Sequence, residues 1–218
     1  MAMPADSDIL IVTAVPQEIK AFQKTNGHLK GILLFETGMG DPTAFARVRR
    51  QLESGRYRAV ISAGFAGGVS SGFQVGDLVL ASEVIEESTG RRLKPSVLLE
   101  SGTLPARVGP FVTVKKPLRT PSSKSELGAR FRALAVEMET AGVADAAMQA
   151  GIPWMGLRAI LDPMEQPLAV GSVGQGLGLL AQPWRWNRLA SFLGSVRTAG
   201  ESLARGLEIL VRRMDSRN

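Results

Sequence analysis

The run Ile9–Val15 (ILIVTAV) is continuously apolar and rich in β-branched residues, and Pro16 follows it at once. Such a run suits a strand buried on both faces of a sheet, which needs helices above and below it. The sequence supplies them in alternation. Pro16 introduces a helix over Gln17–Lys24, and Gly31–Phe35 reads as a second strand running into the turn Thr37-Gly38-Met39-Gly40. Asp41 can cap the next helix, with Pro42 in its first turn and apolar residues at Phe45, Val48 and Leu52.

The rhythm continues to the end of the chain. Ala59–Ser62 is a third strand ending in a glycine-rich turn at Gly64–Gly68, and Asp77–Val84 and Phe111–Val114 are further strands. Ser125–Arg132 reads as a short helix, Ala133–Val136 as a short apolar segment, and Glu139–Ala150 as an Ala-rich helix. Trp154–Leu161 is then a strand stopped by Asp162-Pro163. Strands alternating with helices predict one three-layer α/β/α sandwich with a mixed central sheet, spanning residues 1–218 as a single domain. Residues 163–181 are rich in Gly and Pro and are expected to form a flexible loop. A long C-terminal helix is expected over about 183–214, with an apolar stripe through Leu189, Phe192, Leu193, Val196, Leu203, Leu207, Leu210 and Met214 that suits a core or a subunit interface.

Composition narrows the chemistry. There is no Cys and one His, His28, placed in a turn, so neither a thiolate nucleophile nor a His- or Cys-based metal site is expected, and no cofactor. Acid and base work must fall on carboxylates. The formal charge of +6 raises the question of nucleic acid. It is concentrated in two stretches: Lys115, Lys116, Arg119, Lys124, Arg130 and Arg132 stand against Glu126 alone, and residues 182–218 hold seven Arg. Neither stretch carries a recognisable nucleic-acid-binding module, so nucleic acid is not expected as a partner. No apolar run is long enough to span a bilayer and the first eight residues are too short and too acidic for a signal sequence, so a cytoplasmic protein is expected.

Ligands of α/β sheets gather at the carboxyl ends of strands. Glu18, the Gly38–Gly40 turn, the Gly64–Gly68 turn and Asp162 all follow strands, and Glu137 and Glu139 flank Met138 at the start of an otherwise apolar helix. Each has a plain structural alternative: Asp162 can cap the chain before Pro163, Glu139 can favour a helix N-terminus, and Glu18 can be a solvated helix residue beside Lys20.

Taken together, Ala14-Val15-Pro16-Gln17-Glu18, Thr37-Gly38-Met39-Gly40, Ser62-Ala63-Gly64-Phe65-Ala66-Gly67-Gly68 with Val75-Gly76-Asp77, Ala135-Val136-Glu137-Met138-Glu139 and Arg158-Ala159-Ile160-Leu161-Asp162 resemble the purine nucleoside phosphorylase and methylthioadenosine/adenosylhomocysteine nucleosidase family. The five motifs stand in the family's order from Ile9 to Asp162. Downstream, Asp162-Pro163, Gln166-Pro167-Leu168 and Gln182-Pro183-Trp184 are similar to a bacterial branch tied to hopanoid lipid biosynthesis, whose members release adenine from adenosylhopane.

The resemblance implies a nucleoside phosphorylase-like fold and cleavage of the N-glycosidic bond of an adenosine-type nucleoside. It implies Asp162 as the general acid toward purine N7, Glu18 as the general base that activates water, and Glu139 as the acceptor of the ribose hydroxyls, with Met138 packed on the sugar. Phe65, Gly64, Gly38 and Val15 are implied to border the substrate, and Pro117 and Leu118 are rough candidates for the wall of the base pocket. A homodimer is expected, with peripheral membrane contact as an accessory property if the substrate is a lipid.

Two readings of the nucleophile remain. Phosphorylases bracket the third-strand glycines with an Arg and a Ser to hold phosphate; here those positions read Ser62 and Phe65. Glu18 would repel a phosphate: at ~4 Å and an effective dielectric of ~20, like charges cost about 4 kcal/mol. Water is therefore the expected nucleophile, against the alternatives of a phosphate-dependent phosphorylase and of a catalytically silent nucleoside-binding protein.

Overall fold

The computed structural model describes residues 8–26, 29–96, 102, 104–166 and 186–215. His28, Trp184 and most of the expected 163–181 loop lie outside the described residues. The strands are β1 (Asp8–Thr13), β2 (Ile32–Glu36), β3 (Tyr57–Gly68), β4 (Leu78–Glu86), β5 (Arg92–Leu93), β6 (Ala106–Thr113), β7 (Ala135–Glu137) and β8 (Trp154–Asp162). The helices are α1 (Lys20–Asn26), α2 (Asp41–Ser54), α3 (Pro121–Phe131), α4 (Thr140–Gln149) and α5 (Trp186–Asp215), and a 3₁₀ turn at Pro16–Glu18 precedes α1.

All eight strands join one mixed sheet. β1 lies between β2 and β3 and is parallel to both. β3 then runs parallel to β8 along most of its length, β8 is antiparallel to β4, β4 is parallel to β6, and β6 is parallel to β7. β7 returns to pair antiparallel with the last two residues of β3, Gly67 and Gly68. Strands β3, β8, β4, β6 and β7 thus close on themselves, while β1 and β2 extend the sheet as a wing.

The closure corrects one expectation. Gly64–Gly68 is not a turn but the distal part of β3, a strand of 12 residues. Small residues there let β8, β7 and an incoming side chain approach the backbone, and the ladder to β8 satisfies its N–H and C=O groups, so a glycine-rich segment remains a strand.

The period-2 alternation of the buried strands divides the core in two. Leu10, Val12, Val60 and Trp154 face α2 and α4 and pack with Val48, Leu52, Val143 and Ala147. Ile9, Ile11, Ile61 and Leu157 face the other way and pack with Phe22 of α1 and Leu203, Leu207 and Leu210 of α5. This is the expected three-layer arrangement. Among the α5 side chains described, the buried ones begin at Ala199, however, and Leu193 is 58% exposed. Among the described residues no helix is long and apolar enough to cross a membrane.

Helix α3 begins four residues earlier than the apolar pattern predicts, because Thr120 caps it: its Oγ1 accepts the Ser123 N–H at 3.2 Å, and Pro121 occupies the first turn. Gly128 seats this helix directly on the chain beyond β3; a Cβ there would fall 1.9 Å from the Val69 carbonyl oxygen. One turn earlier, Lys124 is carried into the interior.

Candidate active site

A cleft of about 210 Å³ opens over the carboxyl ends of β1, β3 and β8. Its walls are mostly apolar: Ala14, Val15, Met39, Phe65, Val114, Pro117, Leu118, Val136, Met138 and Leu161. Into them project four carboxylates, Glu18, Glu137, Glu139 and Asp162. All four come from segments the sequence singles out, Glu137 and Glu139 sharing one, and the strand order brings them together although 144 positions separate Glu18 from Asp162.

Glu18 is buried, and its carboxylate is held by three backbone donors. Oε2 accepts the N–H of Ala14 at 2.8 Å and of Val15 at 3.1 Å, and Oε1 accepts the N–H of Phe65 at 2.8 Å. The 3₁₀ turn after Val15 folds the side chain back onto the end of β1. Burial pushes the carboxyl above its usual range, opposed by these donors and by the Arg158 guanidinium. Gly64 makes room for it: a Cβ there would stand 2.6 Å from Oε1. The ring of Phe65 reaches toward α5, where a Cβ on Gly200 would lie 3.9 Å from Cζ.

Glu139 is the N-cap of α4 rather than a member of it. Its Oε1 accepts the Gly40 N–H at 2.9 Å, so the carboxylate lies at the N-termini of both α2 and α4. Asp41 accepts from the Gly142 N–H and fastens those two helix starts to each other. Burial, reinforced by the nearby Glu137, raises the Glu139 carboxyl to about 7. Gly38 sits in the preceding turn at φ +78° and does not line the cleft; its neighbour Met39 does.

Glu137 ends β7, and Arg158 of β8 reaches across to it with Nη2 at 2.7 Å from Oε2. Oε2 also accepts the N–H groups of Glu139 at 3.0 Å and Thr140 at 2.7 Å, and Oε1 accepts from the Thr113 hydroxyl. Arg158 donates further to Thr140 Oγ1 at 2.6 Å and Ser62 Oγ at 3.1 Å. The guanidinium and these donors hold the Glu137 carboxyl below its usual range despite burial. From the sequence Glu137 reads as a structural or supporting residue, and Arg158 does not stand out. Its one signal was a charged residue inside an otherwise apolar strand, which demands a buried partner.

Asp162 closes the cleft at the end of β8, paired in register with Gly67 of β3. Burial raises its carboxyl to about 6, against the pull of Lys124, whose Nζ lies 2.6 Å from Oδ2. In the sequence Lys124 is one of the cations of the basic stretch 115–132, which suggests exposure. The structure corrects this: its side chain is fully buried. Pro117 and Leu118 of the same stretch line the cleft.

The chain matches the family model described as the phosphorylase superfamily over residues 13–98 and 91–178. A 5′-methylthioadenosine/S-adenosylhomocysteine nucleosidase from Geobacillus thermodenitrificans is 27% identical over 165 residues, covering 63% of this chain and 70% of that protein. Among solved structures, futalosine hydrolase of Helicobacter pylori superposes with a TM-score of 0.74 at 17% identity, covering 95% of this chain and 98% of that one. A putative 5′-methylthioadenosine/S-adenosylhomocysteine nucleosidase from Francisella philomiragia gives 0.76 at 18%, covering 95% and 99%. The closed mixed sheet and the carboxylate cleft are thus carried on a scaffold that these nucleosidases share, and the chain belongs to the phosphorylase superfamily.

Proposed function

We propose that the protein is a purine nucleosidase, which cleaves the N-glycosidic bond of an adenosine-type nucleoside with water and releases free adenine. The observation that carries this reading is the state of Glu18. Three convergent backbone N–H groups at strand ends form an anion site, and the protein's own carboxylate fills it. A phosphate nucleophile would have to displace a buried carboxylate or bind against its charge, whereas a water needs only a free lone pair on it. Ser62, the remaining hydroxyl near the third-strand glycines, is buried and bonded to Arg158.

In this mechanism the purine lies between Leu161, Val114 and Leu118, with N7 at Asp162. As the C1′–N9 bond breaks, its electron pair passes to the purine and the Asp162 proton passes to N7, so the base leaves neutral. Positive charge develops on the ribose beside Met138 and Glu139, where a carboxylate that holds the two hydroxyls also stabilises the oxocarbenium-like transition state. Glu18 takes a proton from the attacking water, whose oxygen bonds to C1′. Solvent then returns Asp162 and Glu18 to their starting protonation. The Geobacillus relative, named for methylthioadenosine and adenosylhomocysteine, supports a 5′-substituted adenosine as substrate.

The nature of the 5′ group is suggested by the cleft's lip. Met39 is 57% exposed there, and with Pro117, Leu118 and Met138 it makes an apolar mouth suited to a large apolar substituent such as the hopane of adenosylhopane. The test is chromatography of free base after incubation with methylthioadenosine, adenosylhomocysteine, adenosylhopane, inosine and futalosine, each with and without phosphate. Adenine release independent of phosphate is expected, fastest from the substrate with the apolar 5′ group. Formation of ribose 1-phosphate products, or no base release at all, would overturn the hydrolase reading.

A further inference from the structure

Lys124 is a fully buried lysine that the mechanism above does not use. Its Nζ donates to three backbone carbonyls, those of Asp162 at 3.2 Å, Pro163 at 3.0 Å and Gln166 at 2.8 Å, and it pairs with Asp162 Oδ2 at 2.6 Å. An ammonium has three protons to give, and four oxygens surround this one. Burying a lysine without purpose is costly, and an apolar side chain on the same helix face would pack more cheaply. Gly128 brings α3 close enough for the side chain to reach the end of β8.

We propose that Lys124 is a positioning residue for base departure: its ammonium occupies Oδ2 of Asp162 and ties the chain beyond β8 to α3, so that the proton handed to the purine is carried on Oδ1. This rests on the reading of Asp162 as the general acid. A carboxyl with both oxygens free could rotate its proton away from N7; with Oδ2 engaged by a cation, the proton can reside only on the oxygen that serves the substrate. The same cation counteracts burial, which would otherwise push the Asp162 carboxyl higher and make it a poorer proton donor. The other charged groups around the cleft act elsewhere: Arg158 of β8 pairs with Glu137, Glu139 bonds to Gly40, and Glu18 is held by Ala14, Val15 and Phe65.

The test compares wild type, K124M, K124Q and D162N in pH profiles of kcat/KM for release of adenine from methylthioadenosine or whichever of the five nucleosides turns over. K124M and K124Q are expected to lose at least ~10-fold at the wild-type optimum and to shift the alkaline limb upward by ~1 pH unit or more. A purely structural lysine would lower activity in both variants without moving that limb, and that result overturns the proposal. In wild-type protein, which needs no variant to fold, the chemical shift of the Lys124 Nζ nitrogen is expected to report the ionisation of Asp162, moving at the midpoint seen at the Asp162 carboxyl carbon. A lysine signal indifferent to that midpoint overturns it as well. Full activity in D162N would instead remove the general-acid reading itself, whereas an inactive D162N with an unmoved limb in K124M sinks only the role of Lys124.

Discussion

Oε1 of Glu18 accepts the Phe65 N–H at 2.8 Å, and a Cβ added to the neighbouring Gly64 would lie 2.6 Å from that same oxygen. The site thus depends on an absent side chain as much as on a present one. Gly64→Ala should push the carboxylate out of its three-donor clasp. Buried N–H donors of Ala14, Val15 and Phe65 would then lose their acceptor, at ~1–3 kcal/mol each, so the melting temperature should fall and kcat should fall by ~10-fold or more, part of the ~10²–10⁴ that a general base supplies. Steady-state kinetics beside a thermal melt checks it, and a G64A variant with wild-type kcat would disconnect this contact from catalysis.

Glu18→Gln should cost both stability and activity. The amide nitrogen must face at least one of the donors that the carboxylate now satisfies, from Ala14 and Val15 or from Phe65. A buried donor left unpaired costs ~1–3 kcal/mol, and loss of the base should lower kcat by ~10²–10⁴. Urea unfolding and single-turnover assays would separate the two losses; a stable and active E18Q would contradict both.

The acid sets the pH dependence. In the proposed mechanism Asp162 acts protonated, and its carboxyl is raised to about 6 in the folded protein. The kcat/KM for the free enzyme should accordingly fall as pH rises through about 6. Asp162→Asn cannot give a proton and should lose ~10²–10⁴ in kcat together with that limb. A rate that climbs steadily from pH 5 to pH 8 would count against Asp162 as the donor.

Glu139 couples function to stability. Its carboxyl is raised from 4.5 to about 7, so between those values the folded state binds more proton than the unfolded chain. Its contribution to stability is complete below 4.5 and is lost as pH rises through about 7. Glu139→Gln should match wild type in thermal stability at pH 4, exceed it at pH 8 by on the order of 2 kcal/mol, and lose ribose binding. Identical stability differences at the two pH values would refute the sign of this effect.

Arg158 and Glu137 form a buried ion pair. Arg158→Met strands a carboxylate among Thr113, Thr140 and the α4 N-terminus, and removing one member of such a pair typically costs ~3–5 kcal/mol. The double variant R158M/E137M should recover part of that loss in denaturant melts while remaining inactive, because the α4 start that holds Glu139 loses its anchor. Additive losses would mean the two residues are not energetically coupled.

Much of this was legible in the amino-acid order alone. Continuous apolar runs such as Ile9–Val15 demanded a doubly covered sheet, and the absence of Cys with a single His left acid and base work to carboxylates. Polar residues at strand ends marked Glu18 and Asp162, because period and punctuation are local properties and survive without a fold, while Glu139 was set apart from Glu137 only by the family resemblance. The rest depended on contacts between residues far apart in the chain. Gly64–Gly68 looks like a turn until β8 and β7 supply the ladder that keeps it a strand. Lys124 reads as one more surface cation until Gly128 lets α3 settle on Val69 and carries the ammonium to Asp162. Glu137 gained its purpose only when β8 brought Arg158 beside it. A charge's role depends on what surrounds it in space, and those surroundings came from strand order and helix seating, which no window of neighbouring residues encodes.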